Sequence, residues 1–132
     1  MNIISHRGFW KSEQDKNSLE AFEASFSMGL GVETDVRDFG GQLVISHDVP
    51  AVGAKIITFE EFLQLAVNYS STKFLTLALN IKSDGLAKLI HEQLATKDCE
   101  RLGCFVFDMS VPDMRDYFSY GFNVYARLSE VE

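Results

Sequence analysis

The chain has 132 residues, 46% of them hydrophobic, and its 12 basic and 19 acidic residues give a formal net charge of −7. This length suits one hydrophobic core rather than two domains, and the acidic balance excludes the basic surface of a nucleic-acid-binding protein. No window reaches the roughly 18 to 20 apolar residues of a membrane-spanning helix, and the N-terminus lacks the pattern of a signal peptide. We therefore predict a cytoplasmic protein without a transmembrane segment, with Cys99 and Cys104 as free thiols.

Strand and helix patterns alternate along the chain. The predicted elements are, in order, a strand over residues 2–5, a helix over residues 19–30 after an Asn17-Ser18 cap, a strand over 31–37, a Gly40-Gly41 turn, a returning strand over 42–46, a helix from Thr58, a strand over 74–81, a helix over 86–95, a strand over 104–107, a helix over 111–120 and a strand over 123–127.

Successive βα units of this length predict a parallel sheet with helices outside it. The pattern contains about five parallel strands, whereas a closed βα barrel needs eight and about 250 residues. The chain is therefore either an open α/β domain or a truncated barrel. Because nothing after Arg127 resembles a terminating element, we predict one domain over residues 1–132, an incomplete TIM-type (β/α) barrel.

Glu33 and Asp35 stand two apart on a predicted strand, so both carboxylates project from one face. Two carboxylates on one face of an interior strand repel each other and lose hydration at high cost. A divalent cation removes both penalties, and oxygen ligands suit Mg²⁺ or Ca²⁺. An exposed edge strand, whose acidic side chains meet water, explains the spacing equally well.

Two of the three histidines follow predicted strands: His6 comes after the first, and His47 ends the returning strand. Active sites of barrels and open α/β sheets form at these strand ends, and an imidazole titrates near neutrality, as a general acid or base must. Arg7 offers a guanidinium fork for phosphate. For any single histidine, capping of local backbone groups is the commoner role, and His91, within a predicted helix, is expected at the surface.

Asn80 and Lys82 repeat the two-residue spacing at the end of the strand over residues 74–81. A lysine that follows so apolar a run needs a partner, and a metal-bound phosphate would serve. Alternatively, its side chain extends to the solvated end of the strand.

The joint order of these motifs resembles the glycerophosphodiester phosphodiesterase family and its relatives, the phosphatidylinositol-specific phospholipases C and the spider-venom phospholipases D. Each motif alone is weak, but their order and spacing over residues 3–82 are specific. The matching residues are, in chain order, His6-Arg7-Gly8, Asn17-Ser18, Glu33 and Asp35, the glycine turn, His47-Asp48 and Lys82.

The resemblance implies a TIM-type barrel with its site at the carboxyl ends of the strands. It further implies that one histidine assists attack at phosphorus while the other protonates the leaving alcohol. The implied roles are an acid–base pair of His6 and His47, metal ligation by Glu33, Asp35 and Asn80, and phosphate contacts from Arg7 and Lys82.

The sequence departs from the family pattern at three points. Lys16 stands where the family commonly has Glu, and we expect this change to affect only a loop and a helix cap. Asn80 stands where the family usually has a Glu that is a third metal ligand. The Asn carbonyl oxygen still coordinates, but the loss of charge should lower metal affinity, unless Asp108 restores it. About three strands of an eight-stranded barrel are also missing, with part of the substrate pocket.

The leading hypothesis is a Mg²⁺- or Ca²⁺-dependent hydrolase of a small phosphodiester such as a glycerophosphodiester. The alternatives are a non-catalytic phosphate- or metal-binding module, which Asn80 favours, and a barrel fragment that self-associates or joins another chain through its open sheet edge.

Overall fold

A computed structural model of the chain describes residues 2–126. Seven strands and four α-helices follow one another in these residues, with a single 3₁₀ turn at Glu13–Asp15. The elements are β1 (Ile4–His6), α1 (Leu19–Ser27), β2 (Gly31–Phe39), β3 (Gln42–Ile45), β4 (Ile57–Thr58), α2 (Phe59–Ser70), β5 (Leu75–Ile81), α3 (Ala87–Ala95), β6 (Leu102–Phe107), α4 (Val111–Ser119) and β7 (Asn123–Tyr125).

The strands form one mixed sheet in which five run parallel in the order β1, β2, β5, β6 and β7. This spatial order follows the order along the chain without a reversal, so right-handed connections bring the helices to one face of the sheet. A hairpin of β3 and β4 pairs antiparallel with the second half of β2. The sheet is open over the described residues, with β7 as its last parallel strand.

The two faces of the sheet differ in chemistry. On one face, Val32 lies opposite Leu77 and Thr34 opposite Leu79. All four are buried, and the three apolar ones pack in the core with the aromatic side chains of the helices. Phe22 of α1 and Phe62 of α2 meet edge to face, with ring centroids 4.9 Å apart. The core therefore lies between the sheet and its helices. The opposite face carries the polar residues, which are listed with the site below.

Helix starts follow the caps expected from the sequence. Ser18 accepts a hydrogen bond from the backbone N–H of Ala21, and Thr58 and Glu61 form a complete capping box. Each cap satisfies donors that the first turn leaves without partners.

Within residues 2–126, no helix is long and apolar enough to cross a membrane.

Several boundaries differ from those predicted. Helix α1 ends at Ser27 rather than at residue 30, because Gly29 adopts a φ of +74° and ends the helix. Strand β2 extends to Phe39, because Gly40 and Gly41, both with positive φ, form the tight turn that pairs it with β3. The two-residue strand β4 was not predicted, and Arg127, predicted to end the last strand, lies outside the described residues.

Candidate functional site

Three of the polar residues singled out from the sequence lie together on the neighbouring strands β2 and β5. Asp35 of β2 lies directly opposite Asn80 of β5, and Glu33 lies two residues earlier on the same face. All three side chains are buried, with exposures of 0% for Asp35, 3% for Asn80 and 8% for Glu33. The predicted shared face is confirmed, and the alternative of an exposed edge strand is wrong, since β2 is paired on both sides.

Asp35 is surrounded by cationic and amide groups. Its Oδ2 lies 3.1 Å from Nε of Arg7, and its Oδ1 lies 3.6 Å from Nζ of Lys82. Both cations belong to segments that directly follow parallel strands, β1 and β5. The sequence alternative in which Lys82 only reaches solvent is therefore wrong, because its side chain is 22% exposed and its ammonium group faces a carboxylate.

Asn17 is a site residue that sequence reasoning treated only as part of a helix cap. Its Nδ2 donates to Oδ2 of Asp35 at 2.9 Å, and its Oδ1 accepts from Oγ1 of Thr34 at 2.7 Å. Its backbone has a φ of +59°, in the left-handed region that Asn tolerates better than most residues. The only sequence signal was the position of Asn17 within the motif order.

His6 and Glu33 are neighbours across the β1–β2 pair. Nε2 of His6 lies 3.5 Å from Oε2 of Glu33, and the His6 side chain is 63% exposed. The indole N–H of Trp10 donates to the His6 carbonyl oxygen at 3.0 Å. His6 therefore combines a fixed backbone with a side chain open to solvent.

Burial raises the pKa of Glu33 above its ordinary value of 4.5, and the nearby charge of Asp35 raises it further. The opposing influences are the positive charge of Arg7, a hydrogen bond from Asn80 and the positive charge of Lys82. The net pKa shift is upward, so ionising Glu33 costs free energy in the folded protein.

Three buried oxygens in this group have no hydrogen-bond donor: Oε2 of Glu33, Oδ1 of Asp35 and Oδ1 of Asn80. Buried acceptors without donors are rare, and each requires an explanation. In the part of the chain that the structure describes, no three His, Cys, Asp or Glu side chains are grouped as a metal site. The donor set is thus two carboxylates and one amide, which are the oxygen ligands of hard divalent cations.

His47 lies two residues beyond the end of β3. Its Nδ1 is 3.0 Å from Oδ1 of Asp48, and its carbonyl oxygen accepts a hydrogen bond from Arg37 at 2.7 Å. It lines a cleft of about 800 Å³ between the β1–α1 loop and the β3–β4 loop. Arg7 and Asn17 share that lining, so two of the three residues whose side chains contact Asp35 also border the cleft.

Comparisons with known proteins give a likeness in fold. No protein-family model matches the chain, and a search of curated proteins finds no match. Among solved structures, the chain is similar to a glycerophosphoryl diester phosphodiesterase from Parabacteroides distasonis, with a TM-score of 0.55 and 19% sequence identity. The match covers 95% of this chain and 61% of that structure, so the chain spans about three fifths of its length. This likeness supports the mixed α/β fold.

Proposed function

We propose that the chain carries the reactive residues of a metal-dependent phosphodiester hydrolase that acts on glycerophosphodiester-like substrates. The observation that carries the proposal is a group of three buried oxygens that accept no hydrogen bond, on Glu33, Asp35 and Asn80. They lie next to the cationic side chains of Arg7 and Lys82. The fold likeness to a solved phosphodiesterase supports the same class of chemistry. The open sheet then corresponds to the first five parallel strands of a TIM-type barrel.

In this proposal, Glu33, Asp35 and Asn80 hold Mg²⁺ or Ca²⁺ through their oxygens. Such an ion, when bound, stabilises the negative charge that develops on phosphoryl oxygens during displacement. Arg7 and Lys82 bind the anionic diester, and the position of Arg7 in the cleft wall gives it access to an incoming substrate.

His6 and His47 divide the proton transfers between them. One takes a proton from the attacking water molecule, or from an attacking hydroxyl group of the substrate, and the other donates a proton to the leaving alcohol. Each imidazole has a carboxylate neighbour, Glu33 for His6 and Asp48 for His47. A carboxylate neighbour can orient each ring by accepting a hydrogen bond from it.

The test is hydrolysis of a glycerophosphodiester in the presence of Mg²⁺ or Ca²⁺, measured as release of the alcohol. His6→Ala and His47→Ala should each lower kcat by about 10²- to 10⁴-fold, the usual contribution of a general acid or base. His91→Ala is the matched control, because His91 is exposed on α3 and stacks on Tyr120 with ring centroids 4.8 Å apart. Full activity in either site variant would exclude its role, and activity that survives chelation would exclude the metal.

A non-catalytic phosphate-binding module is the second candidate. The observation in its favour is that Arg7 and Lys82 already neutralise the charge near Asp35, while Asn80 supplies no charge. This candidate predicts that phosphodiesters bind without turnover at any metal concentration. Loss of that binding in an Arg7→Met variant, with no product formed by the unchanged protein, would favour it over the hydrolase.

A further inference from the structure

The two ends of the Asn80 amide have opposite environments. Nδ2 donates to Oδ2 of Asp108 at 3.1 Å, whereas Oδ1 is buried and accepts no hydrogen bond. Asn80 itself is 3% exposed. The amide is therefore held by its nitrogen, and its oxygen is the atom left without a partner.

Asp108 directly follows β6 and has a backbone φ of +67°. Left-handed conformations cost most residues about 1 to 2 kcal/mol, and such strain concentrates at functional sites. Asp108 is exposed at the carboxyl end of β6, a strand paired on both sides, yet its carboxylate contacts a buried amide of the neighbouring strand. The turn after β6 therefore holds the Asp108 carboxylate within hydrogen-bond distance of Asn80.

Reversing the Asn80 amide would place its oxygen against the Asp108 carboxylate, where two acceptors would face each other without a hydrogen between them. The Asn80 side chain also interacts with the Glu33 carboxylate and lowers its pKa. A cation bound to Glu33 would compete for that carboxylate, which leaves Asp108 as the acceptor for the amide nitrogen.

We propose that Asp108 is a positioning residue that fixes the Asn80 amide with its oxygen available to a bound divalent cation. The inference rests on the proposed function, because it assumes a cation held by Glu33, Asp35 and Asn80. It assigns Asp108 to the residues that support the ligands rather than to the ligands themselves. Such supporting contacts typically contribute about 10- to 100-fold in metal affinity.

The experiment measures thermal unfolding against the concentration of Mg²⁺ and of Ca²⁺ for the unchanged protein, Asp108→Asn and Asp108→Gly. Asn and Gly both tolerate a positive φ and both remove the charge, but only Asn keeps an acceptor for the Asn80 amide. Asp108→Asn should retain most of the metal-dependent rise. Asp108→Gly should need about 10- to 100-fold more metal for the same rise.

Equal metal dependence of Asp108→Gly and Asp108→Asn would overturn the inference while leaving the cation site intact. In an Asn80→Ala background the same two variants should respond to metal equally, because Asp108 acts through Asn80; a remaining difference would also overturn it. If the unchanged protein responds to neither metal, the cation site of the proposed function is wrong, and the inference falls with it. Asp108→Ala, which also lacks an acceptor, provides a second measurement if the glycine variant does not fold.

Discussion

Replacing Asp35 by Asn removes one charge from the site and leaves the shape of the side chain nearly unchanged. Asp35 is fully buried, with its oxygens 3.1 Å from Arg7 Nε and 3.6 Å from Lys82 Nζ. Removing one partner of a buried ion pair costs about 3 to 5 kcal/mol. The two cationic side chains keep 20% and 22% of their surface exposed, so we expect the lower end, about 3 kcal/mol. For a chain of this length that loss corresponds to a decrease in Tm of about 10 °C.

Glu33→Gln should have the opposite sign in the metal-free protein. Burial and the charge of Asp35 raise the pKa of Glu33, so its ionised form destabilises the folded state at neutral pH. A neutral isostere removes this penalty, and the variant should be at least as stable as the unchanged protein. Two carboxylates on one strand face are thus expected to contribute to folding in opposite directions.

The assay is thermal and urea unfolding in the presence of a metal chelator, with circular dichroism as the signal. Asp38→Asn is the matched control, because Asp38 lies on the same strand but is exposed, where its carboxylate accepts a hydrogen bond from Ser83; its change should stay within about 0.5 kcal/mol. If Asp35→Asn loses no more stability than this control, the ion pairs of Asp35 with Arg7 and Lys82 do not stabilise the fold. A loss in Glu33→Gln comparable to that of Asp35→Asn would refute the dominance of burial at Glu33.

Two further outcomes are expected. Without metal, the unchanged protein should lose stability relative to Glu33→Gln as the pH rises from 4.5 through the raised pKa of Glu33. The reason is that the unfolded chain releases the Glu33 proton at a lower pH than the folded protein does. A difference in the free energy of unfolding that does not change with pH in urea titrations would contradict this. Asn17→Gly, which keeps the positive φ, should lower the free energy of unfolding by about 2 kcal/mol, since Asp35 loses a donor and Thr34 an acceptor. A loss below about 0.5 kcal/mol in urea unfolding would mean that water replaces both hydrogen bonds.

Much of the fold could be predicted because its elements are locally encoded. The apolar run of β5 reflects burial on both faces, and the caps at Ser18 and Thr58 mark helix starts. Strand β4 escaped prediction because two residues carry no periodicity. It exists only through its pairing with β3, which depends on tertiary contacts.

The site was predictable in composition but not in its internal contacts. The spacing of Glu33 and Asp35 fixes their common face, and the parallel register then brings Asn80 opposite Asp35. The contacts of Asn17 and Asp108 are made by residues with left-handed backbone conformations, which neither composition nor periodicity reveals. Their hydrogen bonds join segments 18 and 28 residues apart in sequence.

The structure also changes the reason for expecting a cation. The sequence pattern suggested one because two adjacent carboxylates need compensating charge. Arg7 and Lys82 already supply two positive charges near Asp35, so charge balance alone requires no metal. What still requires an explanation is the three acceptor oxygens without donors, since cations in ion pairs reduce charge repulsion but leave these lone pairs unfilled. A bound cation that is coordinated by several oxygens at once would use these lone pairs, whereas an additional distant positive charge would not. The carboxylate variants test the charge, and the Asp108 variants test the oxygen geometry.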